Sequence, residues 1–249
     1  MIRSLRARLW RTAASLRKFV QGASIDTLTV AVCEPGKSRV VVLAPHMDDE
    51  VLGCGGTIAR HVRAESEVTV IYLTDGRRGG AVALRKSEAR RAADVLGVRT
   101  IHFLDAEDSR LGHDTLVAGR LRATLEQERP EIVYLPFFLE SHPDHRATNS
   151  VLFAATRGSS LRFECRGYEV WTPLFPNCIV RIDETLHLKR QAMECYASQL
   201  AVRDYLHCNL GLNAYRTMSL AAGAAGQYAE VFHALPLRDY RRLHDALLM

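Results

Sequence analysis

The sequence contains no run approaching the roughly eighteen consecutive apolar residues of a membrane-spanning helix. It has no internal repeat, no Ser/Pro-rich linker and no GxxxxGK phosphate loop, so a solenoid, a string of linked modules and a P-loop nucleotidase are all excluded. Ser160 and Ser198 lack a nucleophile-elbow context, which leaves serine hydrolysis unsupported. The stretch Gly53-Cys54-Gly55-Gly56-Thr57-Ile58 is no dinucleotide fingerprint, because Ile58 stands where the third glycine is needed and the stretch falls inside a predicted helix. None of the six cysteines (Cys33, Cys54, Cys165, Cys178, Cys195, Cys208) forms a CxxC pair. Without a secretory leader they read as mostly buried thiols in a reducing compartment, and the expected location is cytoplasmic.

Positive charge is also scarce where a nucleic-acid-binding face would need it. The net charge is +5, yet Arg3, Arg6, Arg8, Arg11, Arg17 and Lys18 supply six positive charges to residues 1–20 with no acid among them, leaving the body near neutral. A basic tail on a neutral body argues against nucleic acid as a partner. In the same tail Ile2, Leu5, Leu9, Ala13, Leu16 and Val20 recur at helical spacing, bordered by Trp10 and Phe19. That composition suits peripheral contact with an anionic membrane and equally suits a solvated terminal helix.

What is present is an ordinary globular composition, with 47% hydrophobic and 24% charged residues over 249 positions. From residue 39 onward short apolar runs alternate with helical stretches. Strands are predicted over 40–44, 68–73, 100–104 and 132–135, with helices over 49–64, 81–96 and 114–128 between them. Gly97 stands at the C′ position of the second helix and Pro130 ends the third. Beyond Pro143 the pattern loosens to a helix over 147–155, strands over 168–172 and 178–182, and a helix over 184–200. The alternation predicts an α/β fold: a three-layer Rossmann-like domain with a mainly parallel sheet over 39–249, preceded by a basic extension over 1–38. In a sheet ordered 3-2-1-4, the first and fourth strands are neighbours at the switch point, where such sheets keep their sites.

Two polar clusters follow those two strands. Pro45-His46-Met47-Asp48-Asp49-Glu50 comes after the first, and His142-Pro143-Asp144-His145 after the fourth. His46 and Asp49, three apart, can converge on one point, whereas Asp48 is turned away from Asp49 and stays free. Capping the helix needs one acid, not this series. His46, Asp49 and His145 make two imidazoles and a carboxylate with an open position, the pattern of a catalytic zinc ion. Zinc brings the pKa of its bound water to about 7. Asp48 is then placed to accept a proton and His142 to act as an electrostatic or acid group.

PHMDDE and HPDH on a βα scaffold resemble the PIG-L/LmbE-type zinc-dependent deacetylases, which act on N-acetylglucosamine-containing substrates. The likeness runs from about residue 40 to 232 and takes in Gly53, Gly55 and Gly56, the helix carrying Arg85 and Glu88, Lys189, Tyr196-Ala197-Ser198-Gln199 and Ala229-Glu230-Val231-Phe232. The resemblance implies His46, Asp49 and His145 as ligands to Zn²⁺, Asp48 as general base, His142 as oxyanion or leaving-group partner and Asp144 as the residue orienting His142. It also implies Arg85 and Asp108 as sugar contacts, with Asp105 and Glu107 as substitutes for Asp108. Pairing with Glu88 is the competing role for Arg85. Met47 stands where the family most often has Pro, and residues 103–111 lack the family's usual glycines. The implied substrate is an N-acetylated amino sugar in a glycolipid, polysaccharide precursor or other glycoconjugate. The competing functions are an amidase of a thiol-sugar conjugate and a nonenzymatic sugar- or nucleotide-binding module on the same fold.

Overall fold

The computed structural model describes residues 30–220 and 226–248. Its strands are β1 (Ala31–Val32), β2 (Arg39–Ala44), β3 (Glu67–Thr74), β4 (Thr100–Ala106), β5 (Ile132–Pro136), β6 (Glu164–Tyr168), β7 (Cys178–Arg181) and β8 (Ala229–Pro236). They form one sheet in the order β1-β7-β8-β6-β5-β2-β3-β4, in which only β8 runs antiparallel to its neighbours. The segment β4-β3-β2-β5 is the predicted 3-2-1-4 arrangement. Among the described residues the eight main helices are α1 (Asp49–Arg63), α2 (Val82–Leu96), α3 (Val117–Glu128), α4 (Pro143–Ala155), α5 (Leu186–Glu194), α6 (Ala197–Leu200), α7 (Tyr205–Arg216) and α8 (Leu237–Leu248). None of the described helices is long and apolar enough to cross a membrane.

The apolar run of β2 is continuous because both of its faces are covered. Val40, Val42 and Ala44 pack with Ile58 of α1, Ala89 of α2 and Met193 of α5, while Val41 and Leu43 pack with Leu121 of α3 and Leu152 of α4. This is the expected three-layer architecture. The sheet begins earlier than expected, since Ala31–Val32 pair with β7 although they lie in the stretch assigned to the extension. That pairing brings Cys33 beside Cys178, and the two are joined by a disulfide with Cα atoms 5.8 Å apart. The expectation of thiols is therefore overturned for these two cysteines. Cys54 and Cys165 are buried thiols as expected, Cys195 is half-buried and Cys208 is exposed. The basic amphipathic stretch of residues 1–20 lies outside the described residues.

Three predicted elements shift, each for a visible reason. The strand expected over 168–172 is β6, four residues earlier, because the amides of Val170, Trp171 and Thr172 all donate to Glu140 instead of to a sheet neighbour. The helix expected over 184–200 breaks at residues 195–196, where Tyr196 turns its hydroxyl onto Glu50, and the Ser198 amide and hydroxyl donate to Glu88. The helix expected from 147 starts at Pro143, with His142 as N-cap accepting from the Asp144 amide, so the second polar cluster forms a helical first turn.

His61 on α1 is buried, with Nε2 3.0 Å from the Tyr134 hydroxyl and Nδ1 3.3 Å from Ser66 Oγ. Burial, reinforced by the Arg166 charge, pushes its imidazole down to about 4. Between about 6.5 and about 4 the unfolded chain binds a proton there that the folded chain does not, so stability falls as pH falls, by up to about 1.4 kcal/mol per pH unit. Denaturant melts over that range should register this slope in the wild type and a shallower one in His61→Gln. Equal slopes would assign the acid sensitivity elsewhere.

Candidate functional site

The site occupies the carboxyl edge of the sheet, where β2 and β5 diverge into α1 and α4. Asp48, the residue before α1, has φ 139° and ψ −26°, a conformation costing about 1–3 kcal/mol that tightly packed surroundings must hold in place. Here the holding groups are its carbonyl, which accepts from Val51 and Leu52, its amide, which donates to Glu50 Oε2 at 3.1 Å, and Arg85, which donates to the Met47 carbonyl. The helix that follows is itself broken, with non-helical angles at Cys54. The Gly56 and Thr57 amides beyond the break donate to the buried Glu230 carboxylate at 3.0 and 2.7 Å. Buried Lys189 donates to both Glu230 and the Leu52 carbonyl. Glycine is required at position 53, where a Cβ would stand 2.2 Å from the Tyr168 ring.

Asp49 sits between two histidines. Its Oδ2 is 3.2 Å from His46 Nδ1 and 3.3 Å from His145 Nε2, and it also accepts from the His46 amide at 2.9 Å. Two donor atoms on one tetrahedral ion at ordinary Zn–N and Zn–O distances stand about 3.3 Å apart, so this spacing fits a divalent cation. Both ring nitrogens of His145 are buried without a hydrogen bond of ordinary length, and Nε2, the one facing Asp49, is free to meet a metal. Nitrogens of His46, His142 and His145 also lie within 4.8 Å of one another, and His46 forms a second such group with Asp108 and Asp144. The potential metal site is therefore the cluster around His46.

Burial alone would lower the His46 imidazole, but Asp108, Asp144 and Asp49 together raise it well above its ordinary value. Asp49 would be raised by burial, yet His145 and His46 hold it far below the usual carboxylate range and keep it ionised. Asp48 goes the other way: burial and the Asp49 charge push it up to about 7 in spite of Arg85. His142 is lowered by burial and by the two neighbouring imidazoles, and stays neutral. Its Nδ1 accepts from the Asp144 amide at 3.2 Å, which leaves its proton on Nε2.

The structure brings His46, Asp48, Asp49, Arg85, Asp108, His142, Asp144 and His145 together, and some contacts differ from expectation. The Asp144 side chain does not orient His142; its carboxylate lies 3.1 Å from His46 Nε2 and accepts from the Ser109 and Leu111 amides, while only its backbone N–H reaches His142. Asp108 is 3.4 Å from His46 and accepts from the Arg78 amide. Asp105 and Ser109 take positive φ values of 51° and 66°, supplying the backbone turns for which residues 103–111 have no glycine. Arg85 is not paired with Glu88. It is buried 3.5 Å from Asp48, with Nε and Nη1 unpartnered, on the wall of a cavity of about 170 Å³ that His46, Asp48, Asp108 and His142 also line.

Sequence reasoning gave no role to Glu50, Glu140, Trp171 and Tyr205. Glu50 is buried, raised to about 7 by burial and held by Tyr196. Trp171 and Tyr205 line the cavity and meet edge to face, their ring centroids 5.7 Å apart. Position alone offered a hint for Glu140, which stands two residues before the HPDH cluster.

Residues 41–156, which contain both clusters, match the family model described as PIG-L, GlcNAc-PI de-N-acetylase. A diacetylchitobiose deacetylase of Thermococcus kodakarensis is 31% identical over 204 residues, covering 71% of this chain and 76% of the relative. The chain belongs to the PIG-L family. A probable N-acetyl-alpha-D-glucosaminyl L-malate deacetylase of Bacillus anthracis is 26% identical to this PIG-L protein, over 66% of the chain and 83% of the relative. Among solved structures, the N,N'-diacetylchitobiose deacetylase of Pyrococcus horikoshii matches the PIG-L fold described above with a TM-score of 0.72 at 23% identity, covering 92% of this chain and 94% of that one. A conserved protein of Thermus thermophilus gives 0.70 at 28% identity, covering 79% and 94%.

Proposed function

We propose that this PIG-L protein hydrolyses the acetamide of an N-acetylglucosamine-containing substrate, using a zinc ion held by His46, Asp49 and His145. The observation that carries the proposal is Asp48: a carboxylate in the cavity, held in an unfavourable backbone conformation beside the metal-donor cluster, with Arg85 as its ion-pair partner. A module that only bound sugar would have no use for it, and an activity on thiol-sugar conjugates is not favoured by relatives named as deacetylases of amino sugars. A bound zinc ion supplies Lewis acidity and lowers the pKa of water to about 7. Asp48 takes the proton from the attacking water and can return it to the departing amine. His142, neutral with its proton on Nε2, donates to the oxygen that gains charge on the substrate carbonyl. Asp144 braces His46 from behind, tying it to the 109–111 loop. Arg85 and Asp108, on the cavity wall, contact sugar hydroxyls.

Residues 1–20 deepen the same reading: their basic amphipathic composition suits a chain that meets its substrate at the inner face of an anionic membrane. One experiment tests both parts. Soluble and lipid-linked N-acetylglucosaminides in anionic vesicles are offered to the full chain and to the chain lacking residues 1–20, and acetyl loss is read by mass spectrometry. Deacetylation of the soluble compounds by both forms, with loss of lipid-linked turnover in the shorter one, is expected. No acetyl loss from any compound would overturn the function, and equal turnover of lipid-linked compounds by both forms would remove the tail from it.

A further inference from the structure

The geometry points to Glu140 as a positioning residue that locks the metal ligand His145 in its binding tautomer and ties it to the loop carrying Trp171. Glu140 lies after β5 and is 1% exposed. Its Oε1 accepts from three successive amides, those of Val170, Trp171 and Thr172, at 2.6, 2.9 and 3.2 Å. Its Oε2 has no hydrogen-bond partner and faces His145 Nδ1, also buried and unpartnered, at 3.7 Å. A displacement of roughly half an ångström turns that gap into a hydrogen bond of ordinary length.

The consequence for His145 is chemical. A carboxylate oxygen can only accept, so opposite Glu140 the proton belongs on Nδ1, and the lone pair falls on Nε2, the nitrogen 3.3 Å from Asp49. A carboxylate behind a metal-binding imidazole commonly fixes ring and tautomer in this way. The other half of the carboxylate cannot follow His145 without drawing residues 170–172 along, and Trp171 in that loop lines the cavity against Tyr205. Metal ligand and substrate-facing wall thus share one anchor.

The inference rests on the reading of His145 as a metal ligand, and the test separates the two. Glu140→Gln keeps an oxygen for the three amides but turns an NH₂ donor toward Nδ1, which drives the His145 proton onto Nε2. Competition against a chromophoric chelator should then register Zn²⁺ binding weakened by about 10–100-fold, with little change in the melting temperature. Thr172→Val removes the hydroxyl that accepts from the Ser141 amide at 3.0 Å, loosening the same loop without touching His145, and should leave Zn²⁺ affinity unchanged. In the Zn²⁺-loaded wild type, ¹⁵N NMR should find a solvent-protected proton on His145 Nδ1, a result that does not depend on any variant folding. Unaltered Zn²⁺ affinity in Glu140→Gln, an equal loss in Thr172→Val, or an unprotonated Nδ1 would each overturn the positioning role alone. A wild type that takes up no Zn²⁺ would overturn the metal reading and this inference with it.

Discussion

Replacing Asp48 by Asn is expected to lower turnover by roughly 10²–10⁴-fold while the metal stays bound. The amide has the shape of the carboxylate and can occupy the same place opposite Arg85, 3.5 Å away. It cannot take a proton at neutral pH, whereas a carboxyl raised to about 7 is poised to take and return one there. Asp49→Asn should act differently, because its Oδ2 stands between His46 and His145 and an amide there is a far weaker metal ligand. Metal content measured beside turnover on one substrate separates the two. Loss of metal in Asp48→Asn with retention in Asp49→Asn would exchange the roles assigned to neighbouring residues.

The second large effect is expected from the metal itself. Prolonged treatment with a strong chelator should abolish deacetylation, and added Zn²⁺ should restore it, since in the proposed reaction the ion supplies the Lewis acidity that lowers the pKa of water. His145→Ala should lose both metal and turnover and not respond to added Zn²⁺. His142→Ala distinguishes the competing donor set of three histidines: if His142 only donates a proton, its removal slows turnover and leaves metal content intact. Full activity in the metal-free protein would overturn the zinc proposal, and restoration by a different divalent cation alone would reassign the metal.

The sheet order from β4 to β5 was legible because β2, β3 and β5 are buried on both faces and leave largely apolar runs, with helices of ordinary length between the strands; β4, the half-buried edge strand, follows the glycine that ends α2. The His and Asp clusters were legible because they follow the two strands that become neighbours. The later elements resisted for the opposite reason. Residues 168–172 have a strand-like sequence, but the amides of Val170, Trp171 and Thr172 serve Glu140, a partner 30 to 32 positions upstream and invisible to any local pattern. The break at residues 195–196 likewise depends on Glu50 and Glu88, and the Cys33–Cys178 link on an edge pairing between segments 145 residues apart. The same long range bears on Asp144. The resemblance set it to orient His142, which only its backbone N–H reaches, whereas the chain returns its carboxylate to His46, 98 positions earlier.

Lys189 and Glu230 matched the family pattern without an evident task, and the break in α1 supplies one. The first turn of that helix carries Asp49 and Glu50, and it points where it does because a buried ion pair from α5 and β8 splints the fracture behind it. For protein design this sets the size of the smallest portable unit. A graft of residues 45–57, the PHMDDE turn with the broken start of its helix, onto another parallel sheet would leave the Gly56 and Thr57 amides without acceptors, at about 1–3 kcal/mol each, and the metal-facing turn would relax out of line. The transplant has to include a lysine and a glutamate from the far end of the chain, so what reads as a short local motif behaves as a module spread over some 180 residues.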